Sequence, residues 1–156
     1  MIQNLTLRWA EADDHQAIVT LLNEMHTEIG AFPLSHAKLN AHVGEVLTSG
    51  KALLAENEGE LIGSIGLLGT EPWYSEQKII SDYWIFVSRE TPKRLTVFRA
   101  MVAEVQTYAR DIGIPLVLAL YSSKDRTRKA KLFERWGDQI MRGFQFTDVG
   151  GEYRVQ

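Results

Sequence analysis

The chain has 156 residues, 45% of them hydrophobic and 24% charged, a size and balance that predict one domain, 1–156, with a buried core. Cysteine is absent, which excludes disulfides and thiol chemistry, and the net charge of -3 supplies no overall pull toward nucleic acid or anionic membrane. No apolar run is long enough to span a bilayer, and "MIQNLTLRWAEADD" lacks the basic start and apolar stretch of a secretion signal, so a cytoplasmic protein is expected.

In chain order, "LTLRWAE" alternates Leu5, Leu7 and Trp9 with polar residues, the period of a half-buried strand. Asp13 or Asp14 then caps a helix with Ile18, Leu21, Leu22, Met25 and Ile29 on one face, and "GAFP" breaks it. Ser35 caps a second helix with Leu39, Val43, Val46 and Leu47 inward, ending at Gly50. A hairpin follows, with strands Ala52 to Glu56 and Leu61 to Leu68 joined by a turn through Asn57–Gly59. "KIISDYWIFVS" is a further strand. Thr91 and Pro92 offer a cap and a first-turn proline for a helix carrying Phe98, Met101, Val102, Val105, Ala109 and Ile112 on one face and ending at Gly113. "PLVLALY" reads as a strand buried on both faces, "SSKDRTRKAKLFERWG" as a short basic helix ended by Gly137, and "QIMRGFQF" and "EYRVQ" as two closing strands. Interleaved helices around a central hairpin predict an α/β (α+β) sandwich, with helices on both faces of one mixed sheet of about seven strands.

That order of elements resembles the GNAT superfamily of N-acetyltransferases over essentially the whole chain. "AENEGELIGSIGL" resembles the family's second and third strands, "WIFVSRE" its fourth, and "AKLFERWG" its late helix, A-x-x-L-Y-x-x-x-G. The resemblance implies a mostly antiparallel sheet whose fourth and fifth strands are parallel and splay apart, with the pantetheine arm of acetyl-CoA between them. It also implies backbone contacts to that arm from Phe86, Val87 and Ser88. The family's cofactor loop, [Q/R]-x-x-G-x-[G/A], is where this chain departs: "VSRETPKRLTVFRAM" contains no glycine. Phage-encoded GNAT-like proteins are similar in having a basic, glycine-poor loop. The stretch is then either a modified phosphate site, using Lys93, Arg94, Leu95 and Thr96 at a helix start, or one that has been lost.

A second departure is Phe133, where the family often has a tyrosine that protonates the departing thiolate; Tyr121 is the substitute, or else a packing aromatic. Asp82 resembles the acidic residue that family members often carry on the fourth strand. Strand alternation puts it on one face with Ile80, Trp84 and Phe86, where partial desolvation raises a carboxyl pKa; the alternative is a structural carboxylate. Glu24, Glu28, Glu71 and Trp73 border the acceptor groove by resemblance, or are solvated surface. Six basic residues lie among the twelve from Lys124 to Arg135; their charge suits nucleic acid or the 3′-phosphate of CoA, with Lys124, Arg126 and Lys129 nearest the strand exit, and the alternative is a solvated helix face. Without interleaved aromatics the stretch does not point to nucleic acid. His15, His26, His36 and His42 show no metal spacing.

The expected function is N-acetyl transfer from acetyl-CoA, as co-substrate without a metal, directly to a small-molecule or peptide amine. Asp82 and Tyr121 are the catalytic candidates. The rival is a GNAT-shaped binding or scaffold protein without catalysis, of phage type. A homodimer is left open, and no membrane partner is expected.

Overall fold

The computed structural model describes residues 4–29, 32–119, 126–135 and 137; of Ile29 and of residues 126–129 it describes the backbone. The strands are β1 (Leu5–Trp9), β2 (Lys51–Asn57), β3 (Glu60–Thr70), β4 (Ile79–Val87) and β5 (Leu116–Val117), and the α-helices are α1 (His15–Ile29), α2 (His36–Ser49), α3 (Arg94–Ile112) and α4 (Arg126–Phe133). The sheet order is β1-β2-β3-β4-β5. Neighbours are antiparallel except β4 and β5, which are parallel and joined by α3. Among the described residues the sheet has five strands where about seven were expected in the whole chain; the two closing strands and Tyr121 fall outside the described residues.

Helices cover both faces. On one, Val97, Met101, Val102, Val105 and Ala109 of α3 pack on Leu53, Ala55, Ile65, Leu67, Ile80 and Val87; on the other, Ile18, Val19 and Leu22 of α1 and Val43 and Val46 of α2 pack on Ala52, Leu54, Leu68 and Trp84. Each helix presents its apolar residues at three- and four-residue spacing, and the strands alternate between the two cores.

Several local signals act as the chemistry requires. Ser35 Oγ accepts the Lys38 N–H at 3.3 Å and caps α2. The hairpin turn has Glu58 at φ 54° and Gly59 at φ 83°, two left-handed residues in succession, as tight hairpins demand. Gly113 closes α3 at φ 68°.

Other expectations need correction. Asp13 and Asp14 belong to a 3-10 turn, Ala12–Asp14, ahead of α1, and the Asp14 carboxylate accepts the Glu11 N–H at 2.8 Å. Neither Thr91 nor Pro92 opens α3: its N-cap is Lys93, in a left-handed conformation at φ 52° with no side-chain cap bond. The inward face of α3 includes Val97, which periodicity had left out, whereas Ile112 is 43% exposed. Among the described residues β5 is two residues long and half-buried, rather than buried on both faces as expected for "PLVLALY".

Candidate functional site

The register of β3 against β4 shifts between Gly66 and Leu67: Gly66 faces Trp84 while Leu67 faces Asp82, so Tyr83 is an extra residue on β4. Such a bulge inverts the alternation of the strand that carries it. Asp82 therefore shares the α3-side face with Ile80, while Trp84 and Phe86 lie on the α1–α2 side. The single face expected for Ile80, Asp82, Trp84 and Phe86 does not exist. Beyond the bulge the Trp84 ring lies across Gly66, where a Cβ would come within 2.5 Å of it, and the indole N–H donates to Ser64 Oγ at 3.0 Å. That buried hydrogen bond fixes β4 just past Asp82.

On its other side, among the described residues, β4 pairs with β5 through Ile80↔Leu116 and Ser81↔Val117, and Leu118 and Ala119 have left the ladder. The Ala119 N–H donates instead to Asp82 Oδ1 at 2.6 Å. A carboxylate thus stands at the point where the two parallel strands part. Burial pushes the Asp82 carboxyl up to about 6, against the opposing pull of the Ala119 N–H and its own backbone N–H. A carboxyl titrating there is largely ionised at neutral pH and still basic enough to accept a proton.

At the C-terminal end of β4, Phe86 and Val87 are buried on opposite faces, Val87 in the α3-side core. Ser88 begins the connection to α3: its N–H donates to Ile62 O at 2.7 Å and its hydroxyl donates to Glu24 Oε1 at 2.8 Å. The same Glu24 oxygen accepts the Arg89 N–H at 2.8 Å. Arg94 donates from Nη1 and Nη2 to the two carboxylate oxygens of Glu28, each at 3.0 Å, and its guanidinium lies 5.3 Å from the centroid of the Phe86 ring. Lys93 supplies the carbonyl for the Thr96 N–H at 2.7 Å, and Leu95 is 47% exposed. The start of α3 leaves N–H groups without a carbonyl four residues back, as any helix start does.

Glu24 and Glu28, one turn apart on α1, are thus tied to the β4–α3 junction, neither free surface charge nor an open acidic groove. Their spacing beside Leu21 was the signal: residues 21, 24 and 28 line one flank of the apolar stripe of α1. Glu71 is exposed, and Trp73 is 96% exposed in edge contact with Tyr74. Phe133 packs on Phe98 of α3 with ring centroids 5.8 Å apart. Lys129 lies in α4, and Tyr121 is outside the described residues. Among the described residues no three His, Asp or Glu side chains are grouped to hold a metal, and no helix is long and apolar enough to cross a membrane.

The sequence matches no protein-family model and no curated protein. Its fold does match solved structures. A possible acetyltransferase from Clostridium difficile 630 superposes with a TM-score of 0.71 at 15% identity, over 96% of this chain and 100% of that one. A ribosomal-protein-alanine N-acetyltransferase from Brucella melitensis biovar Abortus 2308 gives 0.67 at 14% identity, over 94% and 99%. The aminoglycoside acetyltransferase AAC(6')-Iy, in complex with the bisubstrate analog CoA-S-monomethyl-acetylneamine, gives 0.69 at 15% identity, over 95% and 100%. The fold is that of the GNAT acetyltransferases, and these likenesses speak to the fold alone.

Proposed function

We propose that the protein is a single-domain cytoplasmic N-acetyltransferase that moves an acetyl group from acetyl-CoA directly to an amine. The observation that carries this reading is the parting of β4 from β5 at Asp82, whose carboxyl is pushed up to about 6. An open strand edge fits an extended amide-bearing arm, because strand-edge N–H and C=O groups pair with amides as they would with another strand. The chain from Tyr83 to Ser88, unpaired on that side among the described residues, is that edge. Asp82 stands at its start and accepts the proton of the attacking amine, directly or through a water. The co-substrate supplies a thioester carbonyl: the C–N bond forms as the C–S bond breaks, and the thiolate leaves. Backbone N–H groups along β4 polarise the carbonyl, which requires no particular side chain.

The neighbours act on or bind different acceptors, among them a ribosomal protein alanine and aminoglycosides, so the acceptor proposed here is stated only as a small-molecule or peptide amine. The test is release of free thiol from acetyl-CoA in the presence of single amines: amino acids, a polyamine, an aminoglycoside and a lysine peptide. One amine is expected to accelerate release in wild type, with Asp82→Asn slower by about a hundredfold or more. Equal rates in both proteins with every amine contradict the reading.

One observation favours the non-catalytic alternative, a binding or scaffold protein. Arg94, the cation best placed at the start of α3, is already engaged by Glu28. CoA binding without thiol release, with every amine tried, is the result that selects it.

A further inference from the structure

We infer that Glu24 and Glu28 set donor affinity: from inside the protein they occupy the hydrogen-bonding groups a phosphate would use at the β4–α3 junction, and a phosphate-bearing donor must displace them. The inference rests on the reading of that junction as the donor's phosphate end. Its observations are geometric. Glu24 Oε1 accepts both the Ser88 hydroxyl and the Arg89 backbone N–H, a side chain and an amide that together make an anion cradle. Glu28 takes Nη1 and Nη2 of Arg94 in the fork-to-fork geometry that a guanidinium also offers to a phosphate. Phe86 backs that guanidinium and limits how far it can turn. The same loop holds Thr91 Oγ1, buried and without a hydrogen-bond partner among the described residues, an unspent donor beside the cradle.

Charge sets the direction of the effect. Glu24 and Glu28 set two negative charges against the positive charge of Arg94, and with Arg89, Glu90 and Lys93 the junction is formally neutral, so an incoming pyrophosphate finds a donor set already in use and no net attraction. Releasing Ser88, Arg89 and Arg94 to the ligand detaches the C-terminal half of α1 from the junction. Donor binding is thereby coupled to a movement of α1, and affinity is held below what the bare cradle would give.

The experiment uses inorganic pyrophosphate as probe, in calorimetric titrations at low salt of wild type, Glu28→Gln, Glu24→Gln and the double variant Glu28→Gln/Arg94→Ala. Glutamine keeps the shape and one acceptor oxygen, so the folded junction is retained. Each single variant is expected to bind pyrophosphate about tenfold more tightly than wild type, and the gain of Glu28→Gln is lost when Arg94 is also removed. Wild type saturated with pyrophosphate is expected to exchange the amide hydrogens of the last two turns of α1 faster than the free protein. That arm decides the matter if a variant does not fold. Pyrophosphate bound no more tightly by Glu28→Gln, or α1 exchange unchanged or slowed, overturns the inference and makes Glu28 a residue that holds Arg94 in position. Thiol release on the same preparations keeps the two proposals apart. Tighter pyrophosphate binding without acetyl transfer retains this inference and removes the proposed activity; acetyl transfer without tighter binding does the reverse.

Discussion

At the scale of the residue, Asp82 owes its chemistry to burial beside the bulge at Tyr83, opposed by the N–H of Ala119 and by its own backbone N–H. The pH dependence follows in sign. With the carboxyl at about 6, an Asp82 base is lost as pH falls through that value, so turnover in wild type should show an acid limb near pH 6 that Asp82→Asn lacks. Rates measured from pH 5 to 9 check this; the same limb in both proteins excludes Asp82 as the base. Stability moves in the opposite sense. Below about pH 4 the carboxyl is protonated in folded and unfolded chains alike, and its ionisation costs nothing. Between about 4 and 6 the unfolded chain ionises more readily than the folded one, so stability falls as pH rises and stays reduced above 6, by at most about 3 kcal/mol. Asp82→Asn is therefore expected to gain Tm relative to wild type at pH 8 and much less at pH 4. Equal differences at the two pH values contradict the buried-carboxyl account.

At the scale of the element, β4 is held in place by a contact that only glycine permits. A Cβ on Gly66 would lie 2.5 Å from the Trp84 ring, so Gly66→Ala must displace the indole and break its bond to Ser64. The expected cost is about 1–3 kcal/mol in urea unfolding, with activity reduced because the bulge beside Asp82 moves too. An unchanged midpoint contradicts the packing argument. The end of β1 carries a second clamp. Arg8 meets Asp14 at 2.8 Å and Glu56 at 2.6 Å, tying the turn before α1 to β2. The Arg8 guanidinium holds the Asp14 carboxyl below its ordinary value, so this stabilisation is present above the unfolded pKa near 4 and is lost as pH falls through the folded one. Arg8→Met should unfold more easily at pH 7 and approach wild type in acid, as melts across pH 2 to 7 would report. The element scale is also where the sequence was most readable. Ser35, Gly59 and Gly113 mark ends by local chemistry, and residues 43 and 46 of α2 or 101, 102, 105 and 109 of α3 mark inward faces by period. The bulge was not readable. One extra residue leaves the composition of "IISDYWIFV" unchanged, and it shows only in the pairing with β3, a long-range fact. Asp82, singled out as a carboxylate among apolar neighbours, was therefore given Trp84 and Phe86 as companions on its face, which the bulge puts on the other.

At the scale of the whole molecule, the alternation of helices and strands was sufficient to give a mixed sheet between helical layers, because each apolar face needs a partner layer. The parallel β4–β5 pair, which the resemblance implied, is joined by α3, long enough for the crossover that parallel neighbours need. The ties of Glu24 to Ser88 and Arg89 and of Glu28 to Arg94 join residues more than sixty positions apart, and no local pattern encodes the partner. The functional account requires that the edge of β4 left by β5 be the place where an acyl donor lies. Titration of 15N-labelled protein with CoA at low salt, followed by amide chemical shifts, tests this most directly. The amides from Tyr83 to Ser88, with Ala119 across the gap, are expected to shift together and to saturate. Absence of shifts along β4 at millimolar CoA, or shifts confined to surface lysines and arginines away from it, would contradict the account.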